Sequence, residues 1–483
     1  MDQRHRWMVH GKLEKKALLV AINSLAGLSI FFFGYDQGMM GGVNESRDYI
    51  DLMGLGHVTD EGNPVITDTL LQGGIMCVYY LGTLLGCLMG GSLGDGYGRI
   101  KAIGAGALWG ILVHTEHIGV VVAYWLGYAV RFIDNGNSPV RWRFPIAFQI
   151  IPLLFLLVGC WLFPESPRWL ARVGRDDEAL YILQRLRETT GPDAGLAEAE
   201  LANIKGVVQL EKKTDGTSYI AMLFGLRSGK LHTARRVQLV IWLQIMQCWT
   251  GIAGVTMYGP TIFSIAGFNS DKSQWVSGLN NITYTFATLV CAFTIDRIGR
   301  RWTLYWGSVG QGIAMFLVGG LSRAGLDARA QGNIDTANQW GATAASFVFV
   351  YTFIFGATWL TVPWLYPAEI FPLQVRAKGN SFGVVGWSIG NGTLTLVLPY
   401  IVSAISEKMM YIFGAVNIIS IPIAHTGRDG LALRAADTPW AWDAEKTFAM
   451  LKEQNPGLGG AARHDGREYL EAKVADAAMT HHE

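Results

Sequence analysis

The chain has 483 residues, of which 50% are hydrophobic, 12% aromatic and only 16% charged, and its mean hydropathy is +0.26. A soluble protein carries about a quarter charged residues, so this composition excludes an ordinary soluble enzyme, and the formal net charge of +1 says nothing about partners. The charge is clustered and leaves eight uncharged runs, at 17–35, 70–93, 144–164, 237–269, 275–295, 302–322, 340–368 and 379–406. A helix needs about 20 apolar residues to cross a bilayer, and these runs define an all-α polytopic membrane protein.

Residues 1–16 are polar and basic, with Arg4, Arg6, Lys12, Lys15 and Lys16, which places the N-terminus in the cytoplasm by the positive-inside bias. The first helix then acts as its own insertion signal. Residues 41–68 form an acidic outer loop whose single base is Arg47. Within it, Asn44-Glu45-Ser46 has the form of a glycosylation acceptor, or is a chance match. The second helix carries Gly82, Gly86 and Gly90 at four-residue spacing, a pattern that lets a neighbouring helix approach closely. It ends in Gly91-Ser92-Leu93-Gly94-Asp95-Gly96-Tyr97-Gly98-Arg99-Ile100-Lys101, a tight charged turn at a membrane surface. A degenerate copy, Asp296-Arg297-Ile298-Gly299-Arg300-Arg301, lies between the runs at 275–295 and 302–322. The pair predicts two related halves.

The next stretch is irregular. Residues 102–113 and 118–130 are uncharged but would each span only about 18–20 Å as a helix, against a core of about 30 Å. Between them lie His114, Glu116 and His117, costly groups at mid-membrane. A join between fragments of two different helices explains the pattern, and no further ligand supports a metal site at the two histidines. Arg131, Arg141 and Arg143 then fall in a loop that parity places outside, against the charge bias.

The predicted organisation is an N-terminal bundle at 1–164, a cytoplasmic linker at 165–236, a C-terminal bundle at 237–424 and a tail at 425–483. The linker reads as helical at 176–188 and 196–210, with Gly191-Pro192 between. A last short apolar run at 409–424 precedes a polar tail, helical at most around 442–452. Cys77, Cys87, Cys160, Cys248 and Cys291 all sit in apolar runs and read as free thiols, not a metal site. No cofactor is expected, and no nucleic-acid partner.

Several ordered motifs carry a resemblance to the sugar porter family of the major facilitator superfamily, in particular its fungal members. They are Gly34-Tyr35-Asp36-Gln37-Gly38, the loop around Asp95 and Arg99, Pro164-Glu165-Ser166-Pro167-Arg168-Trp169-Leu170, the second loop, and the stretch from Val362-Pro363-Trp364 through Glu369 and Arg376 to Gly379. The resemblance implies twelve helices in two bundles of six, with substrate held between them and moved by alternating access. Acid–base loops at the inner helix ends can pair across the bundles in one state and separate in the other. Asp95, Arg99, Glu165, Arg168, Asp296, Arg300, Arg301, Glu369 and Arg376 are the candidates for this gate; the alternative is that they anchor helix ends at the headgroups.

Asp36 is an acid within an otherwise uncharged helix, and an intramembrane carboxylate is a functional candidate by default. The resemblance makes it the proton-coupling residue of a symporter; otherwise it lies in water at the outer helix end. For substrate, Gln247 matches the first of the family's paired glutamines in helix seven, with Gln244 one turn earlier. Trp364 matches the helix-ten tryptophan and Asn391 a helix-eleven asparagine. Four positions depart: Cys248, Ala253, Tyr284 and Trp387 stand where the family has amides. Tyr284 joins Gln244, Gln247, Trp364 and Asn391 as the candidate site, each alternatively a helix-packing residue. The departures make a polyol, a glycerol-like solute or an aromatic acid plausible beside a hexose.

The interval between Asp95 and Asp296 is too short for the six crossings the family requires. With 101–130 read as one composite helix, beginning like helix three and ending like helix five, four crossings remain and about ten of twelve helices are present. Helix four is then absent, with the arginine that partners the helix-one acid, and the family's motif after helix twelve is also replaced from about His425 onward. Misjoined exons would produce this. The expected function is a proton-coupled sugar or polyol transporter of the plasma membrane, with both termini cytoplasmic and activity impaired by the deletion; the alternative is a non-transporting sugar sensor on the same fold. An enzyme is not expected, because no nucleophile–base pair or phosphate loop is present.

Overall fold

The computed structural model describes residues 13–59, 64–98, 119–130, 132–133, 138–186, 195–213, 218–226, 233–371 and 375–426. Helix α1 (Lys15–Val43) leads into a short helix α2 (Arg47–Met53) and an antiparallel hairpin, β1 (Gly56–Val58) paired with β2 (Pro64–Ile66). Helix α3 (Thr69–Tyr97) follows, its first turn capped by the Asp68 carboxylate, which accepts from the Leu71 amide at 2.8 Å. Helices α4 (Gly119–Val130), α5 (Val140–Phe148) and α6 (Ile150–Leu162) complete the described N-half.

The linker forms three helices, α7 (Pro167–Val173), α8 (Asp176–Leu186) and α9 (Leu196–Lys213), and a short α10 (Tyr219–Phe224). Trp169, Leu170, Ala179, Ile182, Leu183 and Leu201 make a separate small core here, rimmed by a Lys205–Asp176 ion pair of 2.7 Å. Two of the helices begin where the charge pattern places them, at Asp176 and Leu196.

In the C-half, the run at 237–269 is broken three ways. Helix α11 (Thr233–Gln247) passes into a π-helical stretch, Cys248–Ile252, then α12 (Ala253–Met257) and α13 (Gly259–Ile265). Gly251 causes the first break with φ of +113°, a conformation that L side chains rarely adopt. Helices α14 (Ser270–Ile298) and α15 (Arg300–Ala330) are continuous. The run at 340–368 is likewise split, into α16 (Ile334–Ala357) and α17 (Thr361–Ile370). Helices α18 (Arg376–Ile405) and α19 (Met409–Thr426) close the bundle.

Among the described residues, six stretches are long and apolar enough to cross a membrane: Thr69–Gly90, Val140–Leu162, Thr233–Met257, Arg300–Ala330, Ile334–Ile370 and Lys378–Ile421. The last contains both α18 and most of α19. Packing joins the halves along two seams, α3 against α18 and α4 against α14. The first is tight enough that a Cβ on Gly73 would lie 2.3 Å from the Leu396 carbonyl oxygen.

Three local readings are refined. Asn44 and Ser46 are 8% and 0% exposed, so the sequon is folded into the end of α1 instead of being presented to a glycosylating enzyme. Gly82, Gly86 and Gly90 do not mark a packed seam: an added Cβ on any of them meets nothing within 4 Å among the described residues. The outer loop is an ordered cap, with Trp142 Nε1 donating to Asp48 at 2.6 Å and the Trp142 ring packed on Tyr49. All five cysteines are free. The His114–His117 pair and the tail at 442–452 lie outside the described residues.

Candidate functional site

Two features build the site: a charged cluster at one end of the bundle and a polar aromatic cluster where the halves meet. The charged cluster rests on the repeated loop. Gly98 (φ +109°, ψ 149°) ends α3 and Gly299 (φ +83°, ψ 148°) ends α14, so both copies turn in nearly the same backbone conformation. Glycine is required because both lie in the left-handed half of the map.

In the C-half, Arg300 Nη2 bonds Asp296 at 2.9 Å and Glu369 at 2.9 Å. Arg300 and Glu369 are largely enclosed, while Asp296 is 76% exposed and adds little. The Arg301 guanidinium stacks on Tyr305, 5.4 Å from the ring centre. In the N-half, the Glu165 carboxylate lies against Gly98, within 2.5 Å of where a Cβ would stand. Each half thus places a glutamate from a later helix end on its own loop. The two ends meet at Arg168 and Arg376: burial and the nearby Arg168 charge both lower the Arg376 pKa, at a position two residues before the membrane stretch begins. Arg99 and the side chain of Asp95 lie outside the described residues, as does the side chain of Asp36 in α1.

The aromatic cluster is built around Trp387 of α18. Trp364 of α17 packs on it with ring centres 5.9 Å apart, and Tyr80 of α3 packs edge-on at 5.4 Å. Tyr79 adds a second edge-on contact to Tyr80 at 4.9 Å. Two of the departures from the family pattern touch each other: Cys248 Sγ lies 3.6 Å from the Trp387 carbonyl oxygen. Asn391 is 3% exposed on the same helix as Trp387. Tyr284 is not brought to this cluster. It packs on Phe355 at 6.0 Å and against Gly356, in a separate core with Cys291 and Trp359.

Gln244 and Gln247 are buried, and their amide groups answer a defect in helix ten. Proline has no N–H, so Pro363 and Pro367 leave the carbonyls four residues earlier, Trp359 and Pro363, without helical donors. Gln247 Nε2 donates to Trp359 O at 2.8 Å, and Gln244 Nε2 to Pro363 O at 3.1 Å. Each glutamine keeps a buried Oε1 that has no partner among the described residues. Sequence reasoning found the glutamines but not their backbone partners, although the Pro363–Pro367 spacing was the available signal.

At the opposite end from the charged loops, buried Glu45 accepts a hydrogen bond from Gln274 Nε2 of α14, joining the halves. Tyr124 of α4 donates to Thr256 O at 2.7 Å. Glu45 drew notice only as the middle of the Asn44-Glu45-Ser46 sequon, and Gln274, Tyr124 and Thr256 fall in no motif, so these contacts were not foreseen from sequence. No group of three or more potential metal ligands occurs among the described residues.

A two-part bundle of long apolar helices, with a polar aromatic cluster at the junction, is the architecture of a major facilitator-type membrane protein. The solved proton:xylose symporter XylE bound to 6-bromo-6-deoxy-D-glucose shares this fold, with a TM-score of 0.62 over 86% of this chain and 96% of that one, at 20% identity. The inward-open form of XylE from E. coli gives 0.55 over 84% and 96%, at 19% identity. The chain belongs to the sugar (and other) transporter family, which matches residues 22–115 and 105–426. Among curated relatives, the MFS-type transporter criB of Aspergillus cristatus is 26% identical, covering 76% of this chain and 84% of its own length. The low-affinity glucose transporter HXT1 of Saccharomyces cerevisiae is 27% identical, covering 79% and 74%. The chain is an integral membrane protein of a transporter family and not an enzyme.

Proposed function

We propose that the chain is a secondary transporter for a neutral sugar or polyol, driven by proton symport through alternating access. The observation that carries the substrate class is the pair of unpartnered Oε1 atoms on Gln244 and Gln247 beside the Trp364–Trp387 pair. Their amide nitrogens are committed to backbone carbonyls, so what remains for a ligand is acceptors. Hydroxyl donors satisfy them, whereas the carboxylate of an aromatic acid would meet oxygen with oxygen. The aromatic faces suit the apolar faces of a sugar ring. Asp36 is assigned as the proton site from its place in α1, and the charged loops as the gate. The names of the matched relatives give the sensor alternative no support.

The chain is assigned ten crossings: α1, α3, α4 with residues before it, α5–α6, α11–α13, α14, α15, α16–α17, α18 and α19, with both termini cytoplasmic and a plasma-membrane location. Three observations support an N-half that lacks crossings. The seam of α3 with α18 is mirrored by that of α14 with α4, and since α3 and α14 both end in a loop glycine, α4 corresponds to α18. Between loop and partner helix the C-half has residues 300–375, holding α15, α16 and α17, while the N-half has only 99–118. The glycine face of α3 is bare among the described residues, and the family match falls into two stretches that meet at 105–115. Transport is correspondingly impaired.

The test is uptake in a host lacking its own sugar transporters, with hexoses, pentoses, glycerol and quinate, with and without a protonophore. The expected result is weak uptake of a neutral solute that the protonophore abolishes, with Asp36→Asn removing accumulation but not exchange. Protonophore-resistant uptake, or quinate as the sole substrate, would overturn the reading.

A further inference from the structure

Six buried residues close a ring of hydrogen bonds through four segments of the C-half. Gln247 Nε2 donates to Trp359 O at 2.8 Å, and Trp359 Nε1 donates to Ser308 Oγ at 3.0 Å. Ser308 Oγ lies 2.8 Å from Ser420 Oγ, and Ser420 Oγ donates to Asn417 O at 2.6 Å. Asn417 Nδ2 then donates to Thr250 O at 3.0 Å, and Thr250 Oγ1 returns to Gln247 O at 2.6 Å. A hydroxyl has one proton. Ser420 spends its proton on Asn417, so Ser308 donates to Ser420, and the chain from indole to Asn417 runs in one direction. None of the six is more than 3% exposed.

The ring joins the two places where the C-half backbone breaks. Thr250 lies inside the π-helical stretch that Gly251 interrupts, and Trp359 lies in the gap between α16 and α17. Both breaks flank the aromatic cluster, through Gln247 and Trp364. Ser308 on α15 and Asn417 and Ser420 on α19 belong to unbroken helices, and act on the cluster only through other residues. Without them, the hydrogen bonds left between the two regions among the described residues are those of Gln247 to Trp359 and Leu360 and that of Tyr351 of α16 to Thr250 O at 3.1 Å, beside the apolar packing of Ile252 against the core that holds Trp359.

We propose that Ser308, Asn417 and Ser420 are positioning residues that fasten the break in helix seven to the break in helix ten, so that the two open and shift as one unit. For the transport step, this rests on the functional reading above; for the coupling of the breaks, it does not. Buried hydrogen-bond networks of this kind act together, because removing one member leaves its neighbours unsatisfied.

The test is hydrogen–deuterium exchange on the full chain in lipid nanodiscs, comparing wild type with Ser420→Ala and Ser308→Ala. Amides at 248–253 and at 358–361 are expected to exchange faster together, by about fivefold, as for loss of one net hydrogen bond. Ser420→Thr, which keeps the hydroxyl, restores protection at both. A change confined to the helix that carries the substitution, or reaching one break only, overturns the proposal. Because this readout needs no substrate, a chain that transports nothing would contradict the functional reading while leaving the coupling measurable. In a transporting chain, Ser420→Ala raises KM more than it lowers kcat.

Discussion

The N-half and the C-half share a turn but differ in what surrounds it. Gly98 and Gly299 have nearly the same backbone angles, and each has a glutamate from a later helix end close by. Beyond the turn the halves diverge. Glycines of C-half helices sit against neighbours: a Cβ on Gly341 would come within 2.1 Å of the Ala266 carbonyl oxygen, and one on Gly386 within 2.6 Å of that of Ile241. Among the described residues, Cβ atoms added to the α3 glycines at 82, 86 and 90 meet nothing within 4 Å, and Leu81, Leu85 and Met89 beside them are 55%, 57% and 60% exposed. A repeated motif therefore does not guarantee a repeated bundle; the contacts along the helix that carries it decide whether the bundle is complete.

The largest effect is expected where the C-half buries a charge pair. Arg300→Ala would take from the enclosed Glu369 the cation 2.9 Å from its carboxylate, a loss of about 3 kcal/mol. It should appear as a marked drop in melting temperature of the purified protein, and an unchanged melting point would show that this pair is not what holds the C-half loop. Next comes Gly341→Ala, where the new methyl meets a backbone oxygen that cannot swing aside, costing about 1–3 kcal/mol. The matched change in the N-half, Gly86→Ala, is expected to be the smallest. It should leave the melting point unchanged or raise it, by at most about 1 kcal/mol, because alanine favours a helix over glycine. Equal damage from the two glycine substitutions would erase the contrast between the halves.

Much of this was legible in the residues. The paired loops, the linker helices starting at Asp176 and Leu196, and the membrane runs follow from charge clustering and periodicity, which are local properties. The breaks at Gly251 and at Thr358–Leu360 were not, because a glycine or proline in an apolar run reads equally as close packing or as a kink. The roles of the glutamines were half legible: their polarity marked Gln244 and Gln247, but their partners are carbonyls freed by prolines more than a hundred residues away. Tyr284 shows the limit of position matching, since its ring packs on Phe355 instead of joining Trp364 and Trp387. Asn417 and Ser420 went unmarked because a single polar residue in an apolar run has no visible partner until the bundle is assembled.

The proposal that the N-half lacks crossings is tested most directly by the environment of Gly86. A nitroxide attached at Gly86→Cys, in a protein whose five native cysteines are replaced, reports whether lipid or protein covers that face of α3. High accessibility to oxygen dissolved in the bilayer, as for a lipid-facing site, is the expected result. A nitroxide shielded from oxygen and immobilised like one in a packed seam would mean that another part of the chain covers this helix, and would contradict the account.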